Sequence, residues 1–271
     1  MPLEKVGHWY RADASACFEV PKFKGGGMRS VTIKDARALH LYPSVTTILS
    51  CLERPALLDW KLKQVAMAAL TIPHLPGEDS DTFIARIIKD AFKQVEDAAD
   101  LGTRIHKALE LHFASQPYES DLAVFVQAVD KWMASEGVTI QERELRLVNE
   151  EAGYAGTTDL TFANYKGFGV GDYKTRKTNP KYPCTPYDGQ IMQTAAYHVA
   201  KYGRIEDAAC DFNLFISTTE PGRIEACWYG APTLRDEYGA FLHVCALWRH
   251  LKQYDPRNPS VAEAESPPSE T

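Results

Sequence analysis

Three side chains in two short runs carry the clearest chemistry in the chain. Asp159 lies in GYAGTTDLTF, and Asp172 and Lys174 lie in GVGDYKTRK. Both runs are short and β-like, with Gly and Asn between them, so a hairpin can set Asp159 beside Asp172. Residues i and i+2 of a strand project to one face, so Asp172 and Lys174 emerge together. Two carboxylates held close repel each other unless they share a cation. Hard oxygen donors with open positions suit Mg²⁺ or Mn²⁺. A lysine beside that ion can orient a water and stabilise the charge that builds on an attacked phosphate. The competing reading is a surface Asp–Lys pair on an exposed strand, because the DxK triplet is common by itself.

The elements around these residues follow from periodicity. Val138–Val148, Ala152–Phe162 and Lys166–Tyr173 read as three strands joined by tight loops. A loop with Pro180, Pro183 and Pro186 follows, then a helix over Gly189–Tyr202. Cys210–Ser217 and Arg223–Tyr229 read as strands, and Leu234–Leu251 as a last helix. Upstream, residues 1–42 form a hairpin-like extension, with Gly25, Gly26 and Gly27 making its loop. Ser44 opens a helical segment, and Pro55 starts another that Pro73 and Pro76 end. Asp81 to about Ala114 is helical in period, with Gly102 expected to break or tighten it. Ser120–Ser135 is a further helix, stopped by Gly137. The order predicts an α/β fold, a mixed sheet flanked by helices. Residues 43–136 form a helical region arching over it, residues 137–254 the core, and residues 255–271 a disordered acidic tail.

Composition narrows the class. The 271 residues are 45% hydrophobic and 24% charged, which excludes general disorder. No apolar run approaches the ~20 residues of a membrane helix. The start, MPLEKVGHWYRADASA, lacks the apolar core of a signal peptide. Six cysteines (17, 51, 184, 210, 227 and 245) show no CxxC or CxH pair. That spacing argues against a zinc ribbon or a disulfide scaffold and points to reduced thiols in a cytoplasmic compartment. Net charge is −6, which counts against a protein that coats nucleic acid through its whole surface. It leaves room for a local basic groove. Lys166 to Lys181 carries five Lys/Arg against one Asp, and Arg176, Lys177 and Lys181 follow directly on Lys174.

Other residues suit a phosphodiester chain. Ser44, Thr46 and Thr47 place hydroxyls at a helix start, where phosphate binds well and where simple capping is the alternative. Trp60 and Lys61 pair an aromatic with a cation, which suits stacking on single-stranded DNA, or Trp60 belongs to the core. Gln190 and Tyr197 lie two helical turns apart on one face, and Gln193 precedes Tyr197 by one turn.

Taken in order, PSVTTIL (43–49), GTRIHKALE (102–110), Glu144, YAGTTD (154–159), DYKT (172–175) and Gln190 to Tyr197 resemble the PD-(D/E)xK nuclease superfamily. Within it the chain resembles the RecB-type exonuclease branch, which includes phage exonucleases and a mitochondrial genome maintenance exonuclease. The resemblance spans more than half the chain. It implies a restriction-endonuclease-like αβββαβ core and a Mg²⁺- or Mn²⁺-dependent DNA exonuclease, acting first on ends of single-stranded DNA. His106, Asp159, Asp172 and the carbonyl of Tyr173 would be metal ligands, and Lys174 would orient the water. Glu144 would be the acid of the first strand, with Glu142 on the same face as its alternative. Gln193 and Tyr197 would be the QxxxY pair touching DNA, with Gln190 beside them and Arg176 and Lys177 on the phosphates. A single-strand annealing or recombination protein is the implied partner. Some relatives hold an iron–sulfur cluster; Cys210, Cys227 and Cys245 are too far apart for one, so no cluster is expected. The rivals are a duplex-end-resecting phage exonuclease working with an annealing protein, a non-catalytic DNA-binding recombination accessory protein and a hydrolase of small phosphoesters.

Overall fold

A computed structural model describes residues 7–258 except 24, 53 and 54. Strands β1 (Trp9–Tyr10), β2 (Glu19–Pro21) and β3 (Met28–Ser30) precede helix α1 (Ile33–Leu39). Then come β4 (Tyr42–Pro43), α2 (Val45–Leu49), α3 (Pro55–Thr71), α4 (Ser80–Phe113) and α5 (Ala123–Ser135). The sheet proper is β5 (Thr139–Asn149), β6 (Tyr154–Asn164), β7 (Gly167–Arg176), β8 (Cys210–Ser217) and β9 (Ile224–Gly230). Helix α6 (Gln190–Tyr202) crosses from β7 to β8, and α7 (Ala231–Lys252) ends the fold.

The strand order is β5-β6-β7-β8-β9, antiparallel except for the parallel pair β7–β8. The parallel pair needs the α6 crossover, and β8 is buried along its whole length, as a central strand covered on both faces must be. On one face Phe212, Leu214 and Ile216 pack with Ile105, Leu109 and Val126 from α4 and α5. On the other face Asp211 meets His198 of α6, both fully buried, with Nδ1 and Oδ1 2.7 Å apart. The same Asp211 oxygen accepts the Val170 N–H at 2.9 Å, so one carboxylate ties α6 to β7 and β8.

Three expectations change. The N-terminal residues are no detached extension: only β2 and β3 form the glycine-turned hairpin, while β1 pairs with β4. Trp9, Val31, Leu41, Val45 and Ile48 enter the main core with Tyr197, Phe241 and Trp248, because a strand dipeptide and short helices cannot bury apolar faces alone. Helix α4 does not break at Gly102; it runs unbroken for 34 residues. A Cβ on Gly102 would sit 2.6 Å from Thr175 Oγ1, so glycine is there for the close crossing of α4 over β7. Residues 43–136 are also not one unit. Val65, Ala68 and Ile72 of α3 pack on Phe83, Ile87 and Ala91 at the start of α4, while its second half belongs to the sheet. Of the acidic tail, Asp255 is ion-paired with Arg257 and Arg249, and residues 259–271 lie outside the described residues. Among the described residues no helix is long and apolar enough to cross a membrane.

Candidate active site

Strand register assembles the site. Arg143 faces Leu160 and Leu145 faces Thr158, so Glu144 stands opposite Asp159. Leu160 faces Gly171, so the next step along sets Asp159 against Asp172, and Asp172 itself faces Asn213. Glu144, Asp159, Asp172 and Asn213 therefore form one row across four adjacent strands. The β6–β7 ladder ends at the Leu160–Gly171 pair, one step before the acids. Asp159 fills the opening: its Oδ2 accepts the Tyr173 N–H at 2.6 Å, in place of a strand carbonyl.

Each acid has its own surroundings. Asp172 is buried, with Oδ2 accepting from Asn213 Nδ2 at 3.0 Å and lying 2.5 Å from Lys174 Nζ. Tyr229 donates to Asn213 Oδ1 at 3.0 Å and so fixes the amide. His106, held over the sheet by α4, has Nδ1 3.6 Å from Asp159 Oδ1 and its ring edge-on to Tyr173. Glu144 is exposed and sits at φ +46°, a left-handed conformation that a residue with a Cβ adopts at a cost. Glu142 points elsewhere, to Lys201 and the Thr161 hydroxyl. Glu144, not Glu142, is thus the first-strand acid that joins the row.

The charges act on one another. Burial opposes ionisation of Asp159, but His106, Lys174 and the Tyr173 N–H outweigh it and hold its carboxyl below the usual range. Burial, helped by the Asp159 charge, outweighs Lys174 and His106 at Asp172 and raises its carboxyl. Although the residue as a whole is exposed, partial desolvation of its carboxyl, with the Asp159 and Glu110 charges, pushes Glu144 up to about 7. Burial alone would lower the pKa of His106, but Asp159 and Asp172 raise it. Crowded acids with pKa values driven apart make this row a candidate functional site.

Lys174 is held from both sides, by Asp172 and by Gln193 Oε1 at 3.0 Å. Gln193 Nε2 in turn donates to Tyr197 Oη at 3.2 Å. Tyr197 is buried against Gly156, where a Cβ would come 2.4 Å from its ring. The expected contact of Tyr197 with DNA is therefore corrected: its ring cannot reach solvent, and it positions Gln193. Ser44 is corrected likewise. It is buried, caps α2 through the Thr47 N–H, and bonds the Thr46 and Thr47 hydroxyls. Gln190 spends its amide oxygen on the Tyr187 N–H at 2.7 Å.

A cleft of about 350 Å³ opens beside Lys174, lined also by His8, Thr46, Thr47, Ser50, Gln190 and Gln193. Tyr187 and Asp188 form part of its wall. Thr46, Thr47, Gln190 and Gln193 are thus brought together with Lys174. Arg176 holds Thr185 and Tyr187, and Lys177 stands exposed. Trp60 and Lys61 lie on α3, which packs on α4, and neither lines the cleft. Asn213, Tyr187, His8 and Ser50 escape sequence reading. A lone Asn in an apolar strand and a Tyr in a Pro-rich loop carry no signal until the register and the loop path are known.

Among the described residues no three His, Cys, Asp or Glu side chains are arranged as a ready metal cage. The reason is visible: Asp172 turns to Lys174 and Asn213, and Asp159 to Tyr173 and His106. No family model matches the chain. No curated protein matches it. Among solved structures it is similar to the crystal structure of SSO0001, at 14% identity and a TM-score of 0.34, over 73% of this chain and 86% of that one.

Proposed function

We propose that the protein is a metal-dependent deoxyribonuclease that hydrolyses phosphodiester bonds, as an exonuclease on single-stranded ends. One observation carries the reading: the row of Glu144, Asp159 and Asp172 on adjacent strands, with Lys174 paired to Asp172 and lining the neighbouring cleft. Among the described residues the three carboxylates of this row have only Lys174 and His106 as paired counter-charges, and binding DNA alone gives no reason to gather them. The element order from the helices through β5-β6-β7, α6 and β8 supports an αβββαβ nuclease core.

The donor set fits Mg²⁺ or Mn²⁺. Asp159, Asp172 and Glu144 offer hard carboxylate oxygens, the Tyr173 carbonyl a further one, and His106 a nitrogen that Mn²⁺ accepts more readily than Mg²⁺. When bound, the ion offsets the carboxylate repulsion and makes a water nucleophilic near neutral pH. Lys174 directs its ammonium at the attacked phosphate and stabilises the charge that grows there. Gln193 and Asn213 keep Lys174 and Asp172 from rotating away, and Tyr197 fixes Gln193. Thr46 and Thr47 line the same cleft as Lys174, where their hydroxyls would meet the strand's phosphates.

The test is digestion of end-labelled single- and double-stranded DNA with Mg²⁺, Mn²⁺ or EDTA. Wild type should degrade DNA only with metal, and Lys174→Ala and Asp159→Asn should each lose about 100-fold or more. DNA bound but never cut, under any metal, would overturn the enzyme reading in favour of a recombination accessory protein. Cleavage of a chromogenic phosphodiester with no preference for DNA would overturn the substrate.

A further inference from the structure

We infer that Tyr187 is a base-stacking residue of the cleft, holding the unpaired base next to the scissile phosphate. The inference rests on the nuclease reading and names what that site grips. Tyr187 lines the same cleft as Lys174, yet its residue is 62% exposed. An exposed ring on a loop is normally free to turn. Here the backbone is held at two points and the ring at two. Its N–H donates to Gln190 Oε1 at 2.7 Å, and its carbonyl accepts the Gln190 N–H at 3.0 Å. Its hydroxyl accepts from Arg176 Nη2 at 2.7 Å. The Arg176 guanidinium also lies over the ring, 4.4 Å from its centroid.

Anchoring the loop does not require this. Arg176 already anchors it through the Thr185 carbonyl at 2.7 Å. What the bonds to the ring achieve is an aromatic face held in place and kept in water at the edge of the cleft that Lys174 lines. A flat π-face held in place loses no rotamer freedom on stacking, which is what a sequence-tolerant base platform needs. The cation behind the ring stays on the protein side, so the ring stacks as a neutral surface braced by Arg176. Thr46, Thr47 and Lys174 are at hand in the same cleft for the adjoining phosphate, with Asp188 the one carboxylate on the wall. A base already stacked in a duplex cannot use the platform, so it favours single-stranded or frayed ends.

The full chain is titrated in EDTA with single-stranded DNA carrying 2-aminopurine at successive positions. Wild type should quench the fluorophore at one position. Tyr187→Leu should abolish that quench and weaken binding about 10-fold, while Tyr187→Phe keeps both within about twofold. On blunt duplex DNA the Leu and wild-type proteins should bind alike. Circular dichroism with a melting curve checks that the Leu variant is folded. Equal quenching and affinity in Tyr187→Leu overturns the inference while metal-dependent cleavage by the same variant leaves the nuclease reading intact. Wild type that neither binds nor cuts any DNA overturns both.

Discussion

Glu144 offers the sharpest test of how the site is built, because two separate costs meet there. Its φ of +46° lies in the left-handed region, where a Cβ crowds the following carbonyl at about 1–2 kcal/mol. Its carboxyl, pushed up to about 7 by burial, Asp159 and Glu110, is ionised in the folded protein only against opposition. The folded pKa is raised above the unfolded one. Between them the unfolded chain has released its proton and the folded chain has not, so stability falls as pH rises from about 4.5 to about 7, then stays level. Taken at full value the shift would be about 3 kcal/mol. The residue is exposed, and solvent screening brings this to about 1 kcal/mol.

Two substitutions separate these costs. Glu144→Gln removes the charge and keeps the strained backbone, so in EDTA it should stabilise by about 1 kcal/mol at pH 8 and by almost nothing at pH 4.5. Glu144→Gly removes both. Relief of the backbone, less about 0.5–1 kcal/mol of glycine's extra unfolded-state entropy, adds up to about 1 kcal/mol at either pH. Urea titrations at the two pH values measure each difference directly. A Gln variant less stable than wild type at pH 8, or equally stabilised at both pH values, would refute the electrostatic account. A Gly variant clearly less stable than Gln would refute the strain.

Three further outcomes follow from the same geometry. Gly102→Ala should destabilise by about 1–3 kcal/mol despite the better helix propensity of alanine, since its Cβ would meet Thr175 Oγ1 at 2.6 Å. Adding Thr175→Ala should restore most of that loss, and a double-mutant cycle in urea with no coupling would sink the idea. Asp211→Ala should cost about 3–5 kcal/mol, because it strands His198 in a fully buried site and frees the Val170 N–H; a loss under about 1 kcal/mol in a denaturant melt would contradict it. Mg²⁺ at ten times its Kd should stabilise the protein by about 1.4 kcal/mol, seen as a melting shift of a few degrees. The affinity should strengthen as pH rises through about 7, where Glu144 gives up its proton. A shift that persists unchanged in Asp159→Asn would rule out these carboxylates as the ligands.

Much of the scaffold was legible because its signals are local. The strand-like runs match β8 in full and β5, β6, β7 and β9 to within one to three residues, and Pro55, Pro73 and Gly137 punctuate the helices as proline and glycine do. Gly102 misleads because helix propensity is a local quantity, while the reason for this glycine is a strand 73 positions away in the chain, at Thr175. Trp9 and Leu41 mislead for a related reason. Their segments are too short to show periodicity, yet they are buried in the principal core. The sequence also left Glu142 and Glu144 unresolved, since both lie on one face of a regular strand. The strand is not regular. Its register shifts between Ile140 and Glu142, and Glu144 itself leaves the β region, so the simple two-residue period fails where the acids meet.

That failure bears on the reading of the site. Along β6 and β7 the pattern is conventional up to the Leu160–Gly171 pair. At the next step the ladder stops and a carboxylate takes a backbone N–H; beside it, across β5, a non-glycine residue sits at positive φ. Any one of these could be an accident of folding. The interrupted ladder and the positive φ each cost stability, and all three features fall on one row with Asp172 and its two polar partners, Asn213 and Lys174. A chain under selection for stability alone would place apolar or β-branched residues there, as β8 does two positions on at Phe215. Such costs gathered at one point, with none of comparable density elsewhere among the described strands, are what the proposed metal site would accept to keep its acids close enough to share an ion.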